Sequence, residues 1–335
     1  MAVRFGKSTI GFTAKPAVIG YGSVVGKMEF EGPLGQEFDA HDNDSRFGEE
    51  SFEKAESRMQ RIALQSALRR SNLGENDIDI IFAGDLLNQC VGSSFSLRSL
   101  GMPYCGIYGA CSTMTLGLIL AALSVDSGAA KIASAVTSSH FCSAERQYRF
   151  PLEYGSVRPQ SAQWTVTGSG ATILSHADGK PYIDRAVFGK IADLGVKDAN
   201  NMGAAMAPST AVTLTEFFRD TQTTPDCYDA IFTGDLGKVG SDLLYVLTEQ
   251  NGYNIRKKHK DCGLLIFDRN KQDVHAGGSG CGCSASVLNS YVWHRFESGE
   301  YKNILFMSTG ALLSPTSIMQ GESIPGITHL INIRI

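Results

Sequence analysis

Short apolar runs separated by mixed helical stretches set the rhythm of this chain. Ile78 to Leu86 reads IDIIFAGDL and Tyr228 to Leu236 reads YDAIFTGDL, with six of nine positions identical. Each is an apolar run closed by Gly-Asp, the pattern of a buried parallel strand that opens into a functional loop. Between Glu50 and Arg70, apolar side chains recur at Phe52, Ala55, Met59, Ile62, Ala63 and Ala67, with charges on the other side. That spacing predicts an amphipathic helix stopping near Asn72 and Gly74. Thr210 to Phe218 reads as its counterpart before the second Gly-Asp strand. Val166 to Leu174 and Cys262 to Phe267 read as further buried strands.

A second echo reinforces the first. Gly109-Ala110-Cys111-Ser112 opens an apolar helix ending near Ser127-Gly128, and the strand KIASAVTS follows. Gly280-Cys281-Gly282-Cys283 opens a segment ending at Ser298-Gly299, and KNILFMST follows. The interval from Gly109 to Ser127 equals that from Gly280 to Ser298. Alternating strands and helices in two equivalent runs predict an α/β protein with mainly parallel sheets covered by helices. The halves are expected at residues 1–178 and 179–335, meeting near Asp178-Gly179. No low-complexity linker parts them, so they should pack as one body.

Composition narrows the function classes. The 335 residues are 43% hydrophobic and 19% charged, with a net charge of −4. No basic excess predicts a nucleic-acid or anionic-membrane surface. No run reaches the about 18 apolar residues of a membrane span. The opening MAVRFGKSTIGFTAKPAV lacks the apolar core of a signal peptide. A soluble protein of a reducing compartment is therefore expected, and its eight cysteines are expected as free thiols. Cys281 and Cys283 form a CxC with no second pair, so no zinc site is predicted. The glycine-rich runs 168–171 and 276–286 match no nucleotide fingerprint and call for no cofactor.

Cys111 is the sharpest candidate. It lies between a glycine turn and a long apolar helix, where free N–H groups and the positive helix end would lower a thiol pKa. A buried structural cysteine is the alternative. Asp85 and Asp235 follow apolar strands directly, at the strand ends where α/β proteins bind ligands; a cap or turn role competes for each. His140 ends the strand ASAVTSSH and is expected near Cys111, with Ser138 and Ser139 adding hydroxyls. Arg146 and Arg149 could recruit a carboxylate, against the alternative of surface ion pairs.

GACS at a helix start within two like halves resembles the thiolase superfamily. A closer resemblance is to the stage V sporulation protein AD family. It is carried by EGPLGQEFD (31–39), IDIIFAGDLLNQ (78–89), GACST (109–113), TSSH (137–140), AERQYRFPLEYG (144–155), TVTGSGA (165–171), NMGAAMAP (201–208), DCGLLIF (261–267), AGGSGCGCSA (276–285) and TGALLSP (309–315). The resemblance implies a thiolase-like five-layer αβαβα body, two pseudo-twofold-related halves and a homodimer. It also implies binding of dipicolinic acid or its calcium chelate, and uptake into the spore with membrane proteins of that system. The chain would then sit at the cytoplasmic side of a membrane, held there by partners.

Related ketoacyl synthases pair the cysteine with a histidine and an asparagine. Those places fall here near Gly234 and Cys281, with no histidine between Gln222 and Gly240 and no asparagine in 276–286. A cysteine without them lacks oxyanion and proton-handling groups. The expected protein is thus a non-catalytic binder. An acyl-transfer enzyme with Cys111 as nucleophile is the alternative, since thiolases use a second cysteine and Cys281 could serve; a pure scaffold is the third reading. The expected ligand set is Asp85, Cys111, Ser138, Ser139, His140, Arg146 and Arg149. Helix N–H groups would hold one carboxylate and His140 the other, with Asp85 orienting His140 or a bound calcium.

Overall fold

The computed structural model describes residues 2–148 and 157–335. The first half runs β1 (Pro16–Gly26), α1 (Phe52–Ser71), β2 (Ile80–Gly84), α2 (Val91–Leu97), β3 (Tyr104–Gly106), α3 (Thr113–Asp126), β4 (Ile132–Ser139), α4 (Phe141–Tyr148) and β5 (Gly168–His176). The second runs β6 (Tyr182–Val187), α5 (Met202–Thr221), β7 (Ala230–Thr233), α6 (Gly237–Gln250), β8 (His259–Asp261), α7, β9 (Asn303–Ala311) and β10 (Gly326–Arg334). Helix α7 spans 281–297 in three pieces, Cys281–Val287, a π-helical turn Leu288–Val292, and Trp293–Glu297.

The strand orders are β1-β5-β4-β2-β3 and β6-β10-β9-β7-β8, the same order in both halves. In each sheet one strand, β5 or β10, runs against the other four. The sheets touch where Tyr182 of β6 pairs with Ala17 of β1. The mixed, mostly co-directional sheet and the two like halves are the expected fold.

Three apolar cores separate five layers. The central core joins Met114, Leu118 and Ile119 of α3 to Val287 and Leu288 of α7 and to Phe232 and Phe306 of the second sheet. One outer core packs Met59, Ala63 and Leu64 of α1 on the first sheet; the other packs Leu214, Phe217 and Phe218 of α5 on the second. Helix α3 is apolar almost all round because sheets bury both its faces, whereas α1 keeps a polar side for solvent.

Local chemistry sets the helix ends. Ser51 caps α1 by accepting from Lys54 N, and Asn72 ends it in the left-handed conformation at φ 56°. Two expectations need correction. The counterpart helix begins at Met202, capped by Asn201, and passes through Pro208. Cys262 to Leu265 is a helical turn and not a strand, because the Asp261 carboxylate caps Leu264 N and turns the chain.

Candidate functional site

Cys111 sits on the turn that leads from β3 into α3. That turn satisfies itself. Ser112 N donates to Gly109 O at 3.0 Å and Thr113 Oγ1 to Ala110 O at 2.6 Å, while Gly109 N donates to Thr113 Oγ1 at 3.1 Å. Ala110 is held at φ 49°. Strand β9 passes close beneath: a Cβ on Gly310 would fall 2.6 Å from Gly109 O, so only glycine fits there.

The environment of the Cys111 thiol reverses the expected effect of the helix end. Cys111 is 6% exposed. Burial pushes its pKa well above the ordinary thiol value, and the neighbouring Asp235 carboxylate pushes it further, by charge and as a hydrogen-bond acceptor. Asp235 comes from the end of β7 in the other half and is fully buried. Its oxygens accept from Thr309 Oγ1 at 2.6 Å, Gly280 N at 2.9 Å and Ser279 Oγ at 3.3 Å. Burial lifts its pKa to about 7 despite these donors. Cys281 completes the cluster, packed with Cys111, Leu86 and Ala144. Its thiol donates to Ser138 O at 2.9 Å and is likewise raised by burial.

Above Cys111 lies a cavity of about 40 Å³ whose walls include Leu86, Ala144, Met202, Ala311 and Leu313. Tyr108 and Tyr148 close one side, their hydroxyls 3.0 Å apart, and Tyr148 also donates to Leu86 O. Among the described residues lining the cavity there is no histidine, no asparagine and no cation.

Of the described residues in the expected ligand set, the structure brings Cys111 alone to this cavity. Asp85 accepts from Leu87 N at 2.9 Å and from Ser93 N and Oγ at 2.7 and 2.6 Å, and does not orient His140. Ser138 Oγ donates to Glu56 at 3.0 Å and accepts from Gln60 at 2.8 Å. Ser139 Oγ donates to Val166 O at 2.7 Å and accepts from Gly282 N at 3.0 Å, tying the start of α7 to the first half. His140 bonds Ser45 O through Nε2 at 2.6 Å and accepts Cys142 N at Nδ1 at 3.1 Å. These partners define a neutral ring with its proton on Nε2, and burial lowers its pKa. It borders a different cleft, beside Lys27 and Asp44. Arg146 pairs with Glu53 on the surface, and Arg149 lies outside the described residues. No group of three His, Cys, Asp or Glu side chains among the described residues could hold a metal ion.

Sequence reasoning missed Glu56 and Gln60. Both are fully buried. Glu56 lies against Asp85, and burial followed by that neighbouring charge lifts its pKa to about 8. Gln60 bridges Ser93 and Ser138. The available signal was their position: they share the inward stripe of α1 with Met59 and Ala63, where a charge or amide needs a buried partner.

The sequence model described as stage V sporulation protein AD matches residues 6–334. Stage V sporulation protein AD of Bacillus subtilis (strain 168) is 44% identical over 324 residues, covering 97% of this chain and 96% of that protein. The fold resembles 3-oxoacyl-[acyl-carrier-protein] synthase III of Aquifex aeolicus VF5, at TM-score 0.58 and 14% identity, over 96% of this chain and 100% of that one. It also resembles cerulenin-bound OleA of Xanthomonas campestris, at TM-score 0.62 and 11% identity, over 97% and 98% of the two chains.

Proposed function

The chain belongs to the stage V sporulation protein AD family, and on that premise we propose that it is a non-catalytic dipicolinate-binding component of a spore uptake system. The observation that carries this reading is the pairing of Cys111 with Asp235. A nucleophilic cysteine needs a neighbour that favours thiolate. Here the neighbour is a buried carboxylate that favours thiol, and the described residues of the lining offer no imidazole or amide to replace it. The thiolase-like chamber is retained while its acyl chemistry is not supported.

The chamber suits a ring. Leu86, Ala144, Met202 and Leu313 offer apolar walls, and the Tyr108 hydroxyl, which is left to donate to Tyr148 because Tyr148 donates to Leu86 O, becomes a donor for a ligand once that pair opens. The cavity, about 40 Å³, is smaller than the roughly 150 Å³ that accommodates benzene, so the tyrosine pair parts when a ring enters. Tyr108 is 47% exposed, so it lies on the solvent side of the pair. The reading includes a homodimer and attachment to a membrane through protein partners; no helix among the described residues is long and apolar enough to cross one.

Calorimetry with dipicolinate tests the proposal. The native chain should bind it, and Ala144→Leu, which fills the chamber, should lose the binding event that the chamber contributes. Absence of binding to the native chain, or equal binding by the variant, would refute it. The acyl-transfer alternative draws on Cys281 packing beside Cys111, and a covalent acyl adduct on Cys111 would favour it.

A further inference from the structure

The outer face of the first half carries a second cleft, of about 410 Å³, where the surfaces of α1 and α2 meet. Glu49, Glu53, Lys54, Arg61, Phe95 and Arg98 contribute to its lining. Both acids are engaged by cations that do not line the cleft: Glu49 pairs with Arg58 at 3.5 Å, and Glu53 pairs with Arg146. Lys54 is held by Glu50. Arg61 and Arg98 form no ion pair with a carboxylate among the described residues, so two guanidinium groups open on one cleft without an acid partner.

Phe95 adds a flat apolar wall. It is 50% exposed, and the Arg98 guanidinium lies over its ring at 4.6 Å. A half-exposed phenylalanine under an unpaired guanidinium presents stacking surface and positive charge together. The ligand that meets both is a planar aromatic ring bearing a carboxylate. The chamber above Cys111 lacks this combination: Glu145 is the charged side chain of its described lining, and Asp235 stands behind the thiol.

We propose that the cleft between α1 and α2 is a binding site for aromatic carboxylates, with Arg61 and Arg98 gripping the carboxylate and Phe95 stacking on the ring. Bidentate guanidinium contacts and a ring face select such a ligand over a bare inorganic anion. The site stands on its own residues. It rests on the proposed dipicolinate reading only for the identity of the natural ligand, which the cleft would collect from solvent before the less accessible chamber.

Phe95→Trp in the full chain supplies a local fluorophore, with dipicolinate and benzoate as probes. Both should change the emission of the introduced indole saturably, and Arg61→Gln with Arg98→Gln should weaken the response at least about tenfold. Raising the salt concentration should weaken it too, because the charges are exposed. The response should persist when Ala144→Leu fills the chamber, so failure of the chamber reading and failure of the cleft are separately visible. No saturable change, a response indifferent to the two arginine substitutions, or equal competition by inorganic phosphate would overturn the proposal.

Discussion

The Asp235 carboxylate, carried by the second half, faces the Cys111 thiol, carried by the first. The two residues occupy the ends of β7 and of the turn before α3, and nothing local to either sequence joins them. Their pairing makes Cys111 a hydrogen-bond donor.

Replacing Asp235 by Asn should make Cys111 easier to ionise. The substitution removes the charge that raises the thiol and keeps an acceptor for Thr309 and Gly280 N. The pH at which iodoacetamide labels the Cys111 peptide, followed by mass spectrometry, should move downward. An unchanged midpoint would mean that burial alone sets the thiol.

Incubation with acetyl-CoA and malonyl donors should give no sustained condensed product. The raised thiol and the absence of histidine and asparagine from the described lining lead to that expectation. Turnover that disappears in Cys111→Ala would establish the enzymatic alternative instead.

Stability should fall as pH rises from 6.5 to 8. Buried Glu29, Glu56 and Asp235 have folded pKa values raised to about 7, 8 and 7, from ordinary values of 4.5, 4.5 and 3.8, burial being the first cause in each. Between the ordinary and raised values the folded chain holds protons that the unfolded chain has lost, so unfolding gains ground with pH. Half-buried His259 and buried His329, whose pKa values desolvation lowers from 6.5 to about 4, act oppositely but only below pH 6.5. Melting temperatures across pH 6.5–8 should therefore decrease, and Glu56→Gln should flatten the slope.

Leu118→Ala should destabilise the chain by about 2–5 kcal/mol, the range for a buried leucine whose site cannot collapse. Leu118 is fully buried in the central core between the two sheets. Denaturant unfolding measures the loss, and a value below 1 kcal/mol would show that the central layer relaxes around the void.

Much of the architecture was legible because it rests on local periodicity. The strand rhythm of IDIIFAGDL and YDAIFTGDL, the stripe through Ala55, Met59 and Ala63, and the equal intervals after Gly109 and Gly280 each report burial of neighbouring residues. The turn at Cys262 was misread because its apolar run fits strand and helix alike, and Asp261 decides between them by capping. The expected cluster around His140 was not legible for a similar reason. Strand β4 ends there, but the chain then turns His140 toward Ser45, a residue remote in sequence.

The sequence by itself determined the two halves, the layered α/β fold, the family and the position of Cys111 at the mouth of a buried helix. Only the tertiary structure decided what surrounds that thiol. Side-chain period and turn residues act over a few positions and so are written locally. The state of a buried thiol depends instead on which charges folding brings within a few ångströms and on the water it removes. For Cys111 that charge is Asp235, from the opposite half, and its effect outweighs the helix end that the local sequence suggested.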